Sequence, residues 1–117
     1  MQLGYTILYV PDVPATLRFY EAAFGLKTRF LAEGGDFGEL ETGSTALAFS
    51  AHRLMQQLGK NPQAANAHAP CFEIALCTPD VPQALAQAIA AEGGGDARAD
   101  DAQRVDVTDE SAAPERT

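Results

Sequence analysis

The chain is short of positive charge. Its 117 residues hold 8 Lys and Arg against 16 Asp and Glu, a formal charge of −8 with an isoelectric point near 4.5. Nucleic-acid backbones are bound by clustered cations, so this balance excludes that class of partner. It argues equally against docking on an anionic membrane. Long apolar runs are missing, and none approaches the roughly 20 residues of a bilayer span. No charged segment followed by an apolar one opens the sequence, so no secretory signal is read and a cytoplasmic location is expected. Tryptophan is absent, and cysteine and histidine number two each. Cys71 and Cys77 have neither metal nor redox spacing. On one strand they would lie about 20 Å apart, at about 3.3 Å per residue, too far for a disulfide. They are expected to be half-buried free thiols. Gly93-Gly94-Gly95 follows no strand and precedes no Lys-Ser/Thr, so it is not a phosphate loop. A nucleophile elbow of the Gly-x-Ser-x-Gly type is also lacking.

The charge is unevenly spread. Residues 1–92 carry 9 acidic and 5 basic side chains, whereas residues 93–117 carry 7 and 3. In that last stretch Val105 and Val107 are the only large apolar residues. Such a segment buries too little surface to offset the entropy of ordering it. Residues 94–117 are therefore expected to be a largely disordered acidic tail, with a weak strand conceivable at 104–108, where valines alternate with polar residues.

What the sequence does contain is a repeat. YTILYVPDVPATLRFYEAAFG starts at Tyr5, and EIALCTPDVPQALAQAIAAEG starts at Glu73, an ungapped offset of 68. Pro-Asp-Val-Pro recurs at 11–14 and 79–82, Leu17 matches Leu85, and Gly25 matches Gly93. The runs 5–10 and 72–77 are rich in β-formers and read as strands ended by proline. Asp12 and Asp80 are the expected helix caps, with Pro14 and Pro82 in the first turn. Leu17, Tyr20 and Phe24 fall at helical spacing, as do Leu85, Ala88 and Ile89. Three further strands are expected at 27–32, 37–41 and 45–50, joined by turns at Gly34-Gly35 and Gly43-Ser44. The organisation is thus a β-α-β-β-β module at 1–50, a polar linker at 51–69 with a short helix near 51–58, and a partial second module (β-α) at 70–93. The fold class is α+β.

Alternation sorts the strand side chains by face. Thr6, Leu8 and Val10 share one face, and Tyr5, Ile7 and Tyr9 the other. In the second module Phe72, Ile74 and Leu76 suit helix packing, while Cys71, Glu73, Ala75 and Cys77 look the opposite way. The offset pairs Tyr5 with Glu73. Burying Glu73 without a partner would be costly.

The runs VPDVPATLRFYEAAFGL, FGELETGSTALAF and EIALCTPDVPQAL resemble the vicinal oxygen chelate superfamily, which includes glyoxalase I, extradiol dioxygenases and bleomycin-resistance proteins. The resemblance covers residues 3–93. It implies two modules curved around a cleft, and in the metal enzymes a divalent ion held at four points: the first and last strand of each module. Carried over, those points fall on Tyr5, about Ala48, Glu73, and a strand not found in this sequence. Glu73 is then the only candidate metal ligand; no cofactor is assigned, and a divalent metal, left open by the resemblance, would find an incomplete ligand set. His52 and His68 read as surface residues. Tyr5, Tyr9 and Glu73 are the candidate ligand-binding residues. Phe30 and Phe37 could join them, their faces being open.

Three functions follow from the resemblance. The first is a metal-independent protein that binds or sequesters a small molecule. The second is a metal-dependent lyase, isomerase or dioxygenase. The third is a truncated or frame-shifted inactive relative. An incomplete sheet would leave an exposed edge and an uncovered apolar face, so a homodimer is expected.

Overall fold

The computed structural model describes residues 1–93 and the backbone of residues 105–109. The chain runs β1 (Tyr5–Val10), α1 (Val13–Phe24), β2 (Thr28–Leu31), β3 (Phe37–Leu40), β4 (Ala46–Ala51), α2 (His52–Gln57), β5 (Ile74–Thr78), α3 (Val81–Gly93) and β6 (Val105–Asp109). The first five elements build a four-stranded sheet of order β1-β4-β3-β2. β1 lies parallel to β4, and the β3 ladders to β4 and to β2 are antiparallel. β5 pairs in parallel with β6 as a separate two-stranded sheet.

The repeat persists down to its hydrogen bonds. Asp12 Oδ1 accepts from the Ala15 amide at 3.1 Å, and Asp80 Oδ1 accepts from the Gln83 amide at 3.1 Å. The backbone bonds that open each helix match as well: Thr16 N–H to the Asp12 carbonyl, and Ala84 N–H to the Asp80 carbonyl. Each cap satisfies an amide that the first helical turn would otherwise leave without a partner.

The core lies between α1 and one face of the four-stranded sheet. Leu8, Val10, Leu40, Leu47 and Phe49 come from the strands, and Val13, Leu17 and Tyr20 from the helix. Tyr20 is fully buried, its ring 5.1 Å from that of Phe49. Gly38 allows the close approach. A Cβ there would stand 2.7 Å from Leu17 Cδ1 and 3.1 Å from Val13 Cγ1. The β2–β3 turn needs glycine for another reason, since Gly34 and Gly35 both have positive φ, 92° and 77°. The hairpin tip is tied to α2 by Arg53, which donates to Asp36 and to the Gly34 carbonyl.

The second unit departs from expectation in three places. A strand stands at 105–109, where Val105 and Val107 alternate, so the unit reads β-α-β. The rest of the expected acidic tail lies outside the described residues. Leu85 and Ile89 were expected on a packed helix face, yet they are 51% and 59% exposed. Cys71 and Cys77 are exposed rather than half-buried, Cys77 on the outward-facing side of β5 and Cys71 ahead of the strand. The two units meet chiefly through α1 and α3, where the Gln87 side chain donates to the Ala22 carbonyl at 3.0 Å. Among the described residues no helix is long and apolar enough to cross a membrane.

Two outcomes follow from this core. Gly38→Val forces Leu17 and Val13 apart, and chemical denaturation should show a loss of about 1–3 kcal/mol. Burial holds the Tyr20 phenol above its usual range. The unfolded chain therefore releases that proton first, and stability falls as pH rises past about 10. Tyr20→Phe should flatten this alkaline decline in melting temperature; an unchanged decline would show that Tyr20 does not cause it.

Candidate functional site

One face of the four-stranded sheet is covered by α1 and the other is open. Register defines the open face. Tyr5, Ile7 and Tyr9 of β1 stand opposite Ala46, Ala48 and Ser50 of β4. Phe37 and Glu39 of β3 stand opposite Ser50 and Ala48 on β4's other flank. Phe30 of β2 stands opposite Glu39. Tyr5, Ile7 and Phe30 are exposed by 51%, 44% and 50%, whereas Ala46, Ala48 and Ser50 are buried. The result is a floor of small side chains between aromatic and aliphatic flanks. The rings of Phe30 and Phe37 lie 6.4 Å apart on one flank.

A charged pair sits on this face. Glu39 Oε1 accepts from Arg29 Nη2 at 2.9 Å and from Nε at 3.2 Å. Arg29 Nη1 reaches Glu41 Oε2 at 3.2 Å. The β2–β3 register shifts between Thr28 and Phe30. That irregularity brings Arg29 to Glu39 while Phe30 keeps its ring beside Phe37, as bulges re-aim side chains. Glu39 is nearly buried and has its counter-charge in Arg29. The hydrogen bond to Glu39 holds the Arg29 guanidinium further above its usual range, with the charges of Glu39 and Glu41 adding to it. At the opposite end of the face Lys60 Nζ donates to the Tyr9 hydroxyl at 3.1 Å and lies 5.6 Å from the ring centroid.

The structure thus places Tyr5 and Tyr9 on the open face, with Phe30 and Phe37 beside them. Glu73 is exposed, one residue before β5, and belongs to the second unit. Arg29, Glu39 and Ile7 were not singled out from the sequence as site residues. The available signal for Glu39 was a lone acid inside the apolar run FGEL. His52 opens α2, half-buried, with Nε2 lacking a hydrogen-bond partner, and His68 is exposed. A separate groove of about 440 Å³ runs between the end of α1 and the β5–α3 connection. Phe24, Leu26, Cys77 and Gln83 are among its walls, and it includes none of the candidate residues.

A family model described as the Glyoxalase/Bleomycin resistance protein/Dioxygenase superfamily matches residues 2–99. The chain belongs to that superfamily. Solved structures agree on the fold. A glyoxalase-related enzyme from Fulvimarina pelagi superposes with a TM-score of 0.64 at 19% identity, over 78% of this chain and 65% of that one. A glyoxalase/bleomycin resistance protein/dioxygenase family enzyme from Burkholderia phytofirmans PsJN gives 0.59 at 22%, over 78% and 73%. A glyoxalase/bleomycin resistance protein/dioxygenase from Nocardioides gives 0.61 at 17%, over 78% and 62%. The chain therefore spans less than two thirds of the Fulvimarina and Nocardioides proteins. No curated protein matches it.

Family resemblance implies a divalent metal, and the donor set can be tested against that. β6 supplies the second unit with a last strand that the sequence reading held absent. Its register sets Asp106 opposite Ala75, as β4 sets Ala48 opposite Ile7. The first unit nevertheless offers only a phenol at Tyr5 and a methyl group at Ala48. Divalent ions of this kind are held by three or four nitrogen, sulfur or carboxylate donors. Among the described residues no group of three or more His, Cys, Asp or Glu side chains could hold a metal. The described residues do not fit the ion.

Removing Arg29 leaves the nearly buried Glu39 carboxylate without its counter-charge. Arg29→Met is expected to lower the melting temperature, and Arg29→Met/Glu39→Gln to recover part of the loss. Equal melting temperatures for single and double variants would show that the pair is not coupled.

Proposed function

We propose that this superfamily member binds a small aromatic or apolar molecule on the open sheet face, without a metal ion. The observation that carries the reading is the contrast along that face. Ala46, Ala48 and Ser50 are buried along its middle, and Tyr5, Ile7 and Phe30 present exposed apolar surface beside them. Solvent-exposed apolar side chains gathered around a few fixed polar groups are the usual make-up of a small-molecule site. Aromatic flanks add ring contacts of about 0.5–1.5 kcal/mol each. Arg29 and Glu39 supply the polar element, and their mutual hydrogen bonds keep it fixed in the absence of ligand. Glu73 contributes from the second unit if the two units enclose a common cleft. The β5–β6 ladder, placed as the β1–β4 ladder is, weighs against a shortened inactive relative.

A thermal-shift and fluorescence screen with small aromatic molecules tests this. A ligand held at about 100 times its Kd should stabilise the fold by about 2.7 kcal/mol. Phe30→Ala should weaken that binding about tenfold with little loss of stability, since Phe30 is half exposed. Zn²⁺, Ni²⁺, Mn²⁺ and Fe²⁺ should leave the melting temperature unchanged. Absence of saturable binding across the screen would remove the reading, and a metal-induced rise would remove its metal-free part.

A further inference from the structure

The two cations at the open sheet face differ in what already meets them. Arg29 is fully engaged: Nε and Nη2 donate to Glu39, and Nη1 donates to Glu41. Lys60 is not. Among the described residues its ammonium has one hydrogen-bond acceptor, the Tyr9 hydroxyl at 3.1 Å, and no carboxylate at ion-pair distance. The chain builds this lysine into its place. α2 closes on Leu58, and Gly59 follows in the left-handed region at φ 85°. The Gly59 amide donates to the Gln56 carbonyl at 3.0 Å, and the Lys60 amide to the Met55 carbonyl at 2.9 Å. These are the two bonds of a Schellman turn, whose left-handed position favours glycine. Met55 is buried, so the turn is anchored in packed structure. Lys60 is thus fixed at its backbone, and its ammonium lies 5.6 Å from the Tyr9 ring centroid.

We infer that the aromatic molecule bound on this face carries a carboxylate, held by Lys60 and the Tyr9 hydroxyl. The inference rests on the open-face reading above and adds the ligand's charge and orientation to it. An ammonium has three N–H donors, and a phenol accepts one hydrogen bond while donating another. Lys60 places one donor on Tyr9, which leaves its other N–H groups and the Tyr9 O–H side by side without an acceptor among the described residues. A carboxylate has an oxygen for each, and charge-assisted bonds of this kind are stronger than those of a neutral carbonyl. At the far edge of the face Glu39 and Glu41 outnumber Arg29, so that edge repels an anion. The acid therefore lies at Tyr9 and the ring towards Phe30 and Phe37. Tyr9, Ser50 and Phe37 are in register across three strands. Two strand spacings put Tyr9 and Phe37 roughly 10 Å apart at the backbone, a span that a ring with a short acid arm can bridge. The chain as a whole carries a charge of −8, so general attraction does not gather anions here and a placed cation is needed.

Titration calorimetry and ligand-observed NMR on the full chain test it, with benzoate, phenylacetate and hydrocinnamate each set beside its carboxamide. In the best-bound pair the acid should bind at least about fivefold more tightly than the amide at neutral pH. Lys60→Met should remove that preference and leave amide binding unchanged, whereas Phe30→Ala should weaken acid and amide alike. Lys60 is exposed and its turn is held by backbone bonds, so the substitution keeps the fold, which far-UV circular dichroism checks. Should Lys60→Met fail to fold, Lys60→Gln takes its place against the same outcomes. Equal binding of acid and amide, or a preference that survives Lys60→Met, overturns the inference and leaves the open-face reading standing. Binding by neither member of any pair overturns that reading and the inference with it.

Discussion

A carboxylate that accepts the amide three residues ahead of it starts both helices of this protein. Asp12 and Asp80 make the same bond at the same length, 68 residues apart. Each sits between a proline that ends a strand and a proline in the first helical turn. That cap fixes where strand stops and helix begins, and so fixes which helix residues meet the sheet. In the first unit the phase it sets brings Val13, Leu17 and Tyr20 onto the strands. In the second unit, whose sheet has two strands among the described residues, the same phase leaves Val81 half-buried and Leu85 51% exposed. The difference in burial between the units is therefore a difference in what the helix is set against. The helix itself begins in the same way.

Local structure was legible in the sequence because it is governed by local physics. Proline ends, aspartate caps and glycine turns act within a few residues. The expected strands at 27–32, 37–41 and 45–50 fall within two residues of β2, β3 and β4 at each end. Side-chain faces followed from alternation, which set Leu8 and Val10 inward and left Glu73, Ala75 and Cys77 outward. The superfamily was legible too, since the repeated unit carries its most characteristic runs. What escaped was whatever depends on partners far apart in the chain. Leu85 and Ile89 have helical spacing, and no periodicity reveals that they stay 51% and 59% exposed. The Arg29–Glu39 pair depends on an irregular β2–β3 register. Without it the two residues would have been assigned from simple alternation, which places Arg29 and Phe30 on opposite faces. β6 was visible only as a two-valine alternation, too weak a pattern to assign to a module.

The open face takes its shape from β4, an interior strand whose two sides differ by size. Leu47 and Phe49 point to α1, and Ala46, Ala48 and Ser50 point away. Polarity alternation, the usual mark of a half-covered strand, is nearly absent here, because both sides are buried. On the helix side bulk is needed to fill the core against Tyr20. On the other side the small residues Ala46, Ala48 and Ser50 are covered, and Tyr5, Ile7 and Phe30 on the neighbouring strands stay exposed. The choice of residue also bears on chemistry. A carboxylate at position 48 would bring a metal-ligating donor to this face; alanine supplies none. With Glu39 already held by Arg29 next to it, the floor offers shape and a neutralised polar pair. The ligand proposed for this face would therefore be held by aromatic contact and by the Arg29–Glu39 pair.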